Sequence, residues 1–170
     1  MVGKLLTLAG CTSRTKGGQV VASLHEARLI RTFRVRAVHR YWRPDWSAER
    51  NRRVFGAQSQ PHAHDWRVEV RVAGPVDAET GWCTDLGALD AHVRAVLAGW
   101  DGGDLNVLVP EVAAGAMTPS TENLARWIHD RLAGRLERPV RLLEVRVFES
   151  DDLGSAWPAV VDSGGTGGMH

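Results

Sequence analysis

Residues 62–72 read His-Ala-His-Asp-Trp-Arg-Val-Glu-Val-Arg-Val, and this strict alternation constrains the fold more than any other stretch. Side chains alternate across a strand, so His62, His64, Trp66, Val68, Val70 and Val72 share one face. Asp65, Arg67, Glu69 and Arg71 point the other way. Residues 29–39 repeat the pattern, with Phe33, Val35, Ala37 and His39 on the apolar side and Arg34 and Arg36 opposite. Both strands therefore aim imidazoles from their apolar faces: His39 ends the first, and His62 and His64 open the second. That arrangement suits a zinc ion held by three neutral nitrogens, with a fourth position left open for substrate or water.

The remaining pattern supplies a cover for this face. Residues 74–81 are rich in turn formers and lead into a short third strand around Trp82 to Thr84. Asp85 is placed to cap a helix whose Leu86, Leu89, Val93 and Leu97 recur at helical spacing. Thr118 caps a second helix, with Pro119 at its first position and Leu124, Ile128 and Leu132 as its apolar stripe. Residues 142–149 form the last strand, with Leu143, Val145, Val147 and Glu149 on one face. Two helices on one face of an antiparallel four-stranded sheet make an α+β fold. Trp82 and Trp127 are expected in the core, and Trp42, Trp46 and Trp100 in loops near the site.

Length and charge exclude more than they assign. The 170 residues suffice for one domain with a real core. It is expected over residues 29–152, after an extension at 1–28 and before a flexible tail at 153–170. Formal net charge is +1, from 21 basic and 20 acidic side chains, so nothing points to nucleic acid. No apolar run spans a bilayer, and a cytoplasmic location with no membrane partner is expected. Leu8-Ala9-Gly10-Cys11 looks like a lipoprotein cleavage box, but the apolar stretch before it is shorter than a signal-peptide core. Cys11 and Cys83 are too few for a disulfide scaffold, and Cys83 reads as a buried strand residue.

Glu149 is the second telling residue. A carboxylate ending the apolar face of a strand must find hydrogen-bond donors or stay near water. It is placed either to turn outward or to accept two adjacent N–H groups from a ligand such as an aminopyrimidine ring.

Seven segments then occur in a telling order: Val35-Arg36-Ala37-Val38-His39, Trp46 to Gly56, Pro61-His62-Ala63-His64-Asp65-Trp66, Thr80 to Leu86, Asp101 to Asn106, Thr118 to Asn123, and Val147-Phe148-Glu149-Ser150. Together they resemble the 6-pyruvoyl-tetrahydropterin synthase and 6-carboxy-tetrahydropterin synthase family. The third segment is similar to its His-Gly-His-Asn-Tyr motif, and the last to its Val-x-Glu-Thr ending. The resemblance implies a tunnelling fold, in which sheets from several subunits close into a barrel, with a hexamer as the expected homo-oligomer. It implies zinc on His39, His62 and His64, and Glu149 as the anchor of a pterin ring. It also implies that Thr121 and Glu122 line the substrate pocket.

The departures from the family pattern fall on its proton-handling groups. The family's catalytic cysteine falls at Gln58, whose amide is no base near neutral pH. The histidine expected after Asp101 is Gly102. Gln58 is then left as a pocket residue, and Asp101, with Asp104 second, as the remaining carboxylates for acid–base work. Both also fit as loop residues beside a Gly-Gly turn. The expected activity is a zinc-dependent lyase or cyclase acting on a dihydropterin or another flat heterocycle. The alternative is a catalytically inactive, zinc-stabilised ligand-binding homologue.

Overall fold

The computed structural model describes residues 26–159. Four strands, β1 (Glu26–His39), β2 (His62–Pro75), β3 (Arg141–Phe148) and β4 (Gly154–Trp157), form one antiparallel sheet in that spatial order. β1 and β2 pair without a register shift from Glu26↔Pro75 to His39↔His62. This continuous ladder sets His39 opposite His62 and Ala37 opposite His64. The alternation read from the sequence is what the ladder needs, because a slip of one residue would send every valine of β2 into solvent.

Five helices join the sheet: α1 (Ala48–Phe55), α2 (Leu86–Val96), α3 (Leu105–Leu108), α4 (Pro110–Ala113) and α5 (Thr121–Leu132). α2 buries Leu89, Val93 and Val96, and α5 buries Leu124, Ala125, Ile128 and Leu132. These side chains join Val68, Val70, Val72, Val145 and Val147 in one core. Burying such a side chain contributes about 1.5–3 kcal/mol, so this stripe outweighs any helix propensity. The opposite sheet face carries charge in pairs along the strands: Arg36 with Asp65, Arg67 with Glu69, and Glu144 with both Arg71 and Arg146.

The structure revises several local expectations. Residues 82–84 are irregular, with a bend at 83–84, and not a strand, because Asp77 organises a turn: its carboxylate accepts from the Thr80 amide at 2.8 Å, and its own amide donates to the Trp82 carbonyl at 2.9 Å. Trp82 is 64% exposed and outside the core, and Cys83 is half-buried in no strand. The fourth strand of the sheet is instead β4, which lies inside the stretch read as tail. Trp100 lies in the loop between α2 and α3, as expected, but its side chain is 1% exposed and packs in the core, 5.9 Å from Trp127. The α5 cap is Ser120, two residues after Thr118, since its hydroxyl accepts from the Asn123 amide. A register shift beside Arg71/Val72 pairs Leu142 with Val72, so Leu142 and not Leu143 supplies the core contact there. β1 begins at Glu26, three residues before the expected strand start. Cys11, the rest of the leading stretch through residue 25, and residues 160–170 lie outside the described residues. Among the described residues, no helix is long and apolar enough to cross a membrane.

A candidate metal centre at the end of two strands

The ladder ends where the imidazoles begin. His39, His62 and His64 each offer a ligand nitrogen, and the three atoms lie within 4.8 Å of one another. Ring centroids are 4.5 Å apart for His39 and His62, 5.1 Å for His39 and His64, and 5.0 Å for His62 and His64. Trp66 forms the floor, with its ring 4.8 Å from His39 and its indole N–H donated to the Ala37 carbonyl at 3.1 Å. Both His39 and Trp66 are fully buried.

Two main-chain carbonyls fix which nitrogen faces the centre. The His39 Nδ1–H donates to the Pro119 carbonyl at 2.9 Å, and the His62 Nδ1–H donates to the Gln60 carbonyl at 2.8 Å. A carbonyl only accepts, so each ring carries its proton on Nδ1 and its lone pair on Nε2. The Nε2 atoms of His39, His62 and His64 are all buried and without a hydrogen-bond partner. A buried polar atom left unpaired costs about 1–3 kcal/mol, and here three occur side by side. Burial pushes the His39 imidazole down to about 4, with the neighbouring His62 and His64 adding to the shift. His64 is lowered for the same first reason, against an opposing pull from Glu149. Neutral imidazoles with converging lone pairs and main-chain partners behind them are what a metal ion requires. The residues fit such a group.

Glu149 follows β3, nearly buried at 9% exposure, and its Oε2 is also buried without a partner. Its main-chain amide is tied to the Leu153 carbonyl in the turn into β4. Its charge acts on the His64 imidazole and on the phenol of Tyr41, a residue the sequence reading missed. The Tyr41 ring stands 5.3 Å from that of His39, edge to face. Its phenol is pushed up to about 12 by burial and by the Glu149 and Glu122 carboxylates. The signal was available: Tyr41 is two residues beyond His39, so the same alternation that aligns His39 aims Tyr41 to that side. An open polar recess of about 460 Å³ is bordered by Arg34, Ala63, His64, Asp65, Arg67 and Glu149, several of them residues of the charged sheet face.

The other expected site residues are distributed unevenly. Glu122 is an exposed first-turn acid of α5, held low by the Ser120 hydroxyl, and it faces Tyr41. Thr121 is buried, with its hydroxyl 2.7 Å from that of Ser155 on β4. Gln58 lies in a short 3-10 turn with its side chain exposed, while its carbonyl accepts from the Tyr41 amide at 2.8 Å. Asp101 and Asp104 sit along the outer edge of β1. Asp101 accepts from the Arg36 amide at 2.9 Å, and Asp104 caps α3 through the Asn106 amide at 2.8 Å. Gly102, between them, has φ of +77°, a conformation that glycine adopts without strain.

Comparison with known proteins points in one direction. The family model described as 6-pyruvoyl tetrahydropterin synthase matches residues 28–156. The chain is 35% identical to the 6-pyruvoyl tetrahydrobiopterin synthase of Drosophila melanogaster over 127 residues, covering 73% of this chain and 74% of that protein. It is 34% identical to the human enzyme of the same name over 131 residues, 75% of this chain and 88% of that one. The structure of the Caenorhabditis elegans 6-pyruvoyl tetrahydropterin synthase shares its fold, with a TM-score of 0.68 at 23% identity over 78% of this chain and 94% of that one.

Proposed function

Since the chain belongs to the 6-pyruvoyl tetrahydropterin synthase family, we propose that it is a zinc-dependent lyase acting on a dihydropterin or a closely related flat heterocycle. The observation that carries this reading is the set of three buried, partnerless Nε2 atoms of His39, His62 and His64 next to the equally partnerless Oε2 of Glu149. One half of that set would hold a metal, and the other would take a ring N–H.

His39, His62 and His64 would hold the zinc, which when bound would supply Lewis acidity toward oxygen atoms of the substrate side chain and so acidify the adjacent C–H bonds. His39 and His62 keep their Nδ1 protons on main-chain carbonyls, so both rings stay oriented with Nε2 toward the centre. Glu149 accepts from the ring N–H donors and fixes the end of the substrate remote from the reacting bond. Trp66 and Tyr41 exclude water from the imidazole side. Thr121 and Glu122, at the start of α5, line the pocket, and Gln58 contributes an amide where the family pattern has its cysteine. We assign the proton transfer to Asp101, with Asp104 second, acting in a homo-oligomer where the edge of β1 in one subunit meets the site of another. The family suggests a hexamer.

The test is direct. Purified protein is analysed for bound zinc and incubated with dihydroneopterin triphosphate, following triphosphate release and loss of the side chain. Stoichiometric zinc with either product supports the reading. Zinc-loaded protein that neither binds nor turns over any dihydropterin ends it.

A further inference from the structure

We propose that Asn123 is a positioning residue for the metal centre, clamping the turn whose Pro119 carbonyl orients His39. The inference rests on the reading of His39, His62 and His64 as metal ligands. It concerns a side chain outside that set and outside the pocket residues named from the sequence.

The Pro119 carbonyl needs such a clamp because nothing in the helix holds it. The His39 Nδ1–H meets it at 2.9 Å in a buried contact. The hydrogen-bond ladder of α5 starts one residue later, where the Ser120 carbonyl accepts from the Leu124 amide at 2.9 Å. Pro119 therefore stands just outside the helix, and the ladder does not set the direction of its carbonyl. A proline ring fixes φ but leaves ψ free, and it supplies no amide to tie the residue down. The carbonyl is aimed only if the residues on both sides of Pro119 are held.

Asn123 holds both. Its side-chain amide donates to the Thr118 carbonyl at 3.0 Å and lies 3.4 Å from the Thr118 hydroxyl. Its main-chain amide donates to the Ser120 hydroxyl at 3.4 Å. One residue thus brackets Pro119 from either side. A carbonyl only accepts, so the NH2 end of the side chain must be the one that faces Thr118. Asn123 is itself half-buried in the first turn of α5, next to Leu124 and Ala125, which are fully buried in the core. That core also holds the valines of β2, the strand that carries the other two imidazoles. The clamp therefore ties the carbonyl behind His39 to the same rigid body as His62 and His64.

The experiment measures the zinc Kd against a competing chelator, together with Tm, for wild type, Asn123→Ala, Asn123→Asp and a control, Asp85→Ala. Aspartate at 123 suits the first turn of a helix and keeps the side chain's size, but it has no donor for Thr118. Asp85 caps α2 through the Gly87 and Ala88 amides, so its loss removes a helix cap with no link to Pro119. Both Asn123 variants are expected to weaken zinc binding by about three- to tenfold, less than the roughly 10–100-fold for a direct outer-shell partner. Asp85→Ala is expected to lower Tm and leave Kd unchanged. In a His39→Ala background, Asn123→Ala is expected to cost no further affinity. A wild-type Kd in both Asn123 variants, an equal loss in Asp85→Ala, or losses that add with His39→Ala overturns the proposal. If the wild-type protein binds no zinc, the proposed function fails, and nitrogen NMR of the metal-free protein at about pH 8, where imidazole is neutral, still decides the role of Asn123. A His39 proton held on Nδ1 in wild type and shared between both ring nitrogens in Asn123→Ala sustains it. The same tautomer in both proteins refutes it.

Discussion

Three buried Nε2 atoms, two of them aimed by a main-chain carbonyl behind the ring, set the chemistry available at the scale of single residues, with His39 and His64 held toward the neutral form by burial. His39 is held near 4 by burial, below the 6.5 of an imidazole in an unfolded chain. As pH falls the unfolded chain therefore takes up the proton first. In metal-free protein the stability due to a neutral His39 is complete above pH 6.5 and is lost toward pH 4, by about 3 kcal/mol at most. Urea denaturation at stepped pH, in wild type and in His39→Gln, checks this: the fall between these pH values should flatten in the variant. His39→Ala should also weaken zinc binding by more than the roughly 10–100-fold that loss of an outer-shell partner costs, measured against a competing chelator. Gln58→Cys with Gly102→His should raise pterin-synthase activity if the family pocket is intact. The Gly102 position is open to a side chain, yet its φ of +77° makes any non-glycine residue cost about 1–2 kcal/mol, visible as a lower Tm.

Secondary-structure elements position these residues through a few polar anchors. Asn51 of α1 is fully buried; its side chain accepts from the Arg43 amide at 2.8 Å and donates to the Arg43 carbonyl at 2.9 Å and the Ser47 carbonyl at 3.2 Å. It thereby pins the segment that carries Tyr41 toward the site. Replacing it with alanine leaves main-chain groups without partners, and a loss of about 1–3 kcal/mol is expected in chemical denaturation. The Ser120 hydroxyl both caps α5 and donates to Glu122. Ser120→Ala should cost about 1 kcal/mol of stability and disturb the Pro119 carbonyl that orients His39. Elements with strong periodicity were legible in the sequence: β1, β2, α2 and the apolar stripe of α5. What was not legible rested on local bonds without a period. Nothing in the pattern tells that Asp77 would spend its hydrogen bonds on a turn through residue 82, or that a register shift would exchange Leu143 for Leu142. Likewise the four residues of β4 form a strand only because β3 offers them an edge.

For the whole molecule, the division of labour is between a core of valines and helix leucines and a charged sheet face where opposite signs alternate along β2. The three-histidine cluster was legible because it continues the alternation of that core, and Tyr41, two residues past His39, continues it too; the surroundings of Glu149 were not, because they depend on the turn from β3 into β4. Zinc that binds the folded state alone stabilises it by about 2.7 kcal/mol at a free concentration 100 times Kd. Thermal unfolding with and without a chelator should show this as a clear drop in Tm, and the His64→Ala protein should show none. One consequence of the ladder reaches beyond catalysis. His39 pairs with His62, and Ala37 with His64, at the very end of a fourteen-residue register. Slide β2 by one residue and both of its imidazoles leave through the back of the sheet. An ion bridging the strands would therefore act as a proofreader of their alignment, closing only on the correct pairing and clamping it once formed.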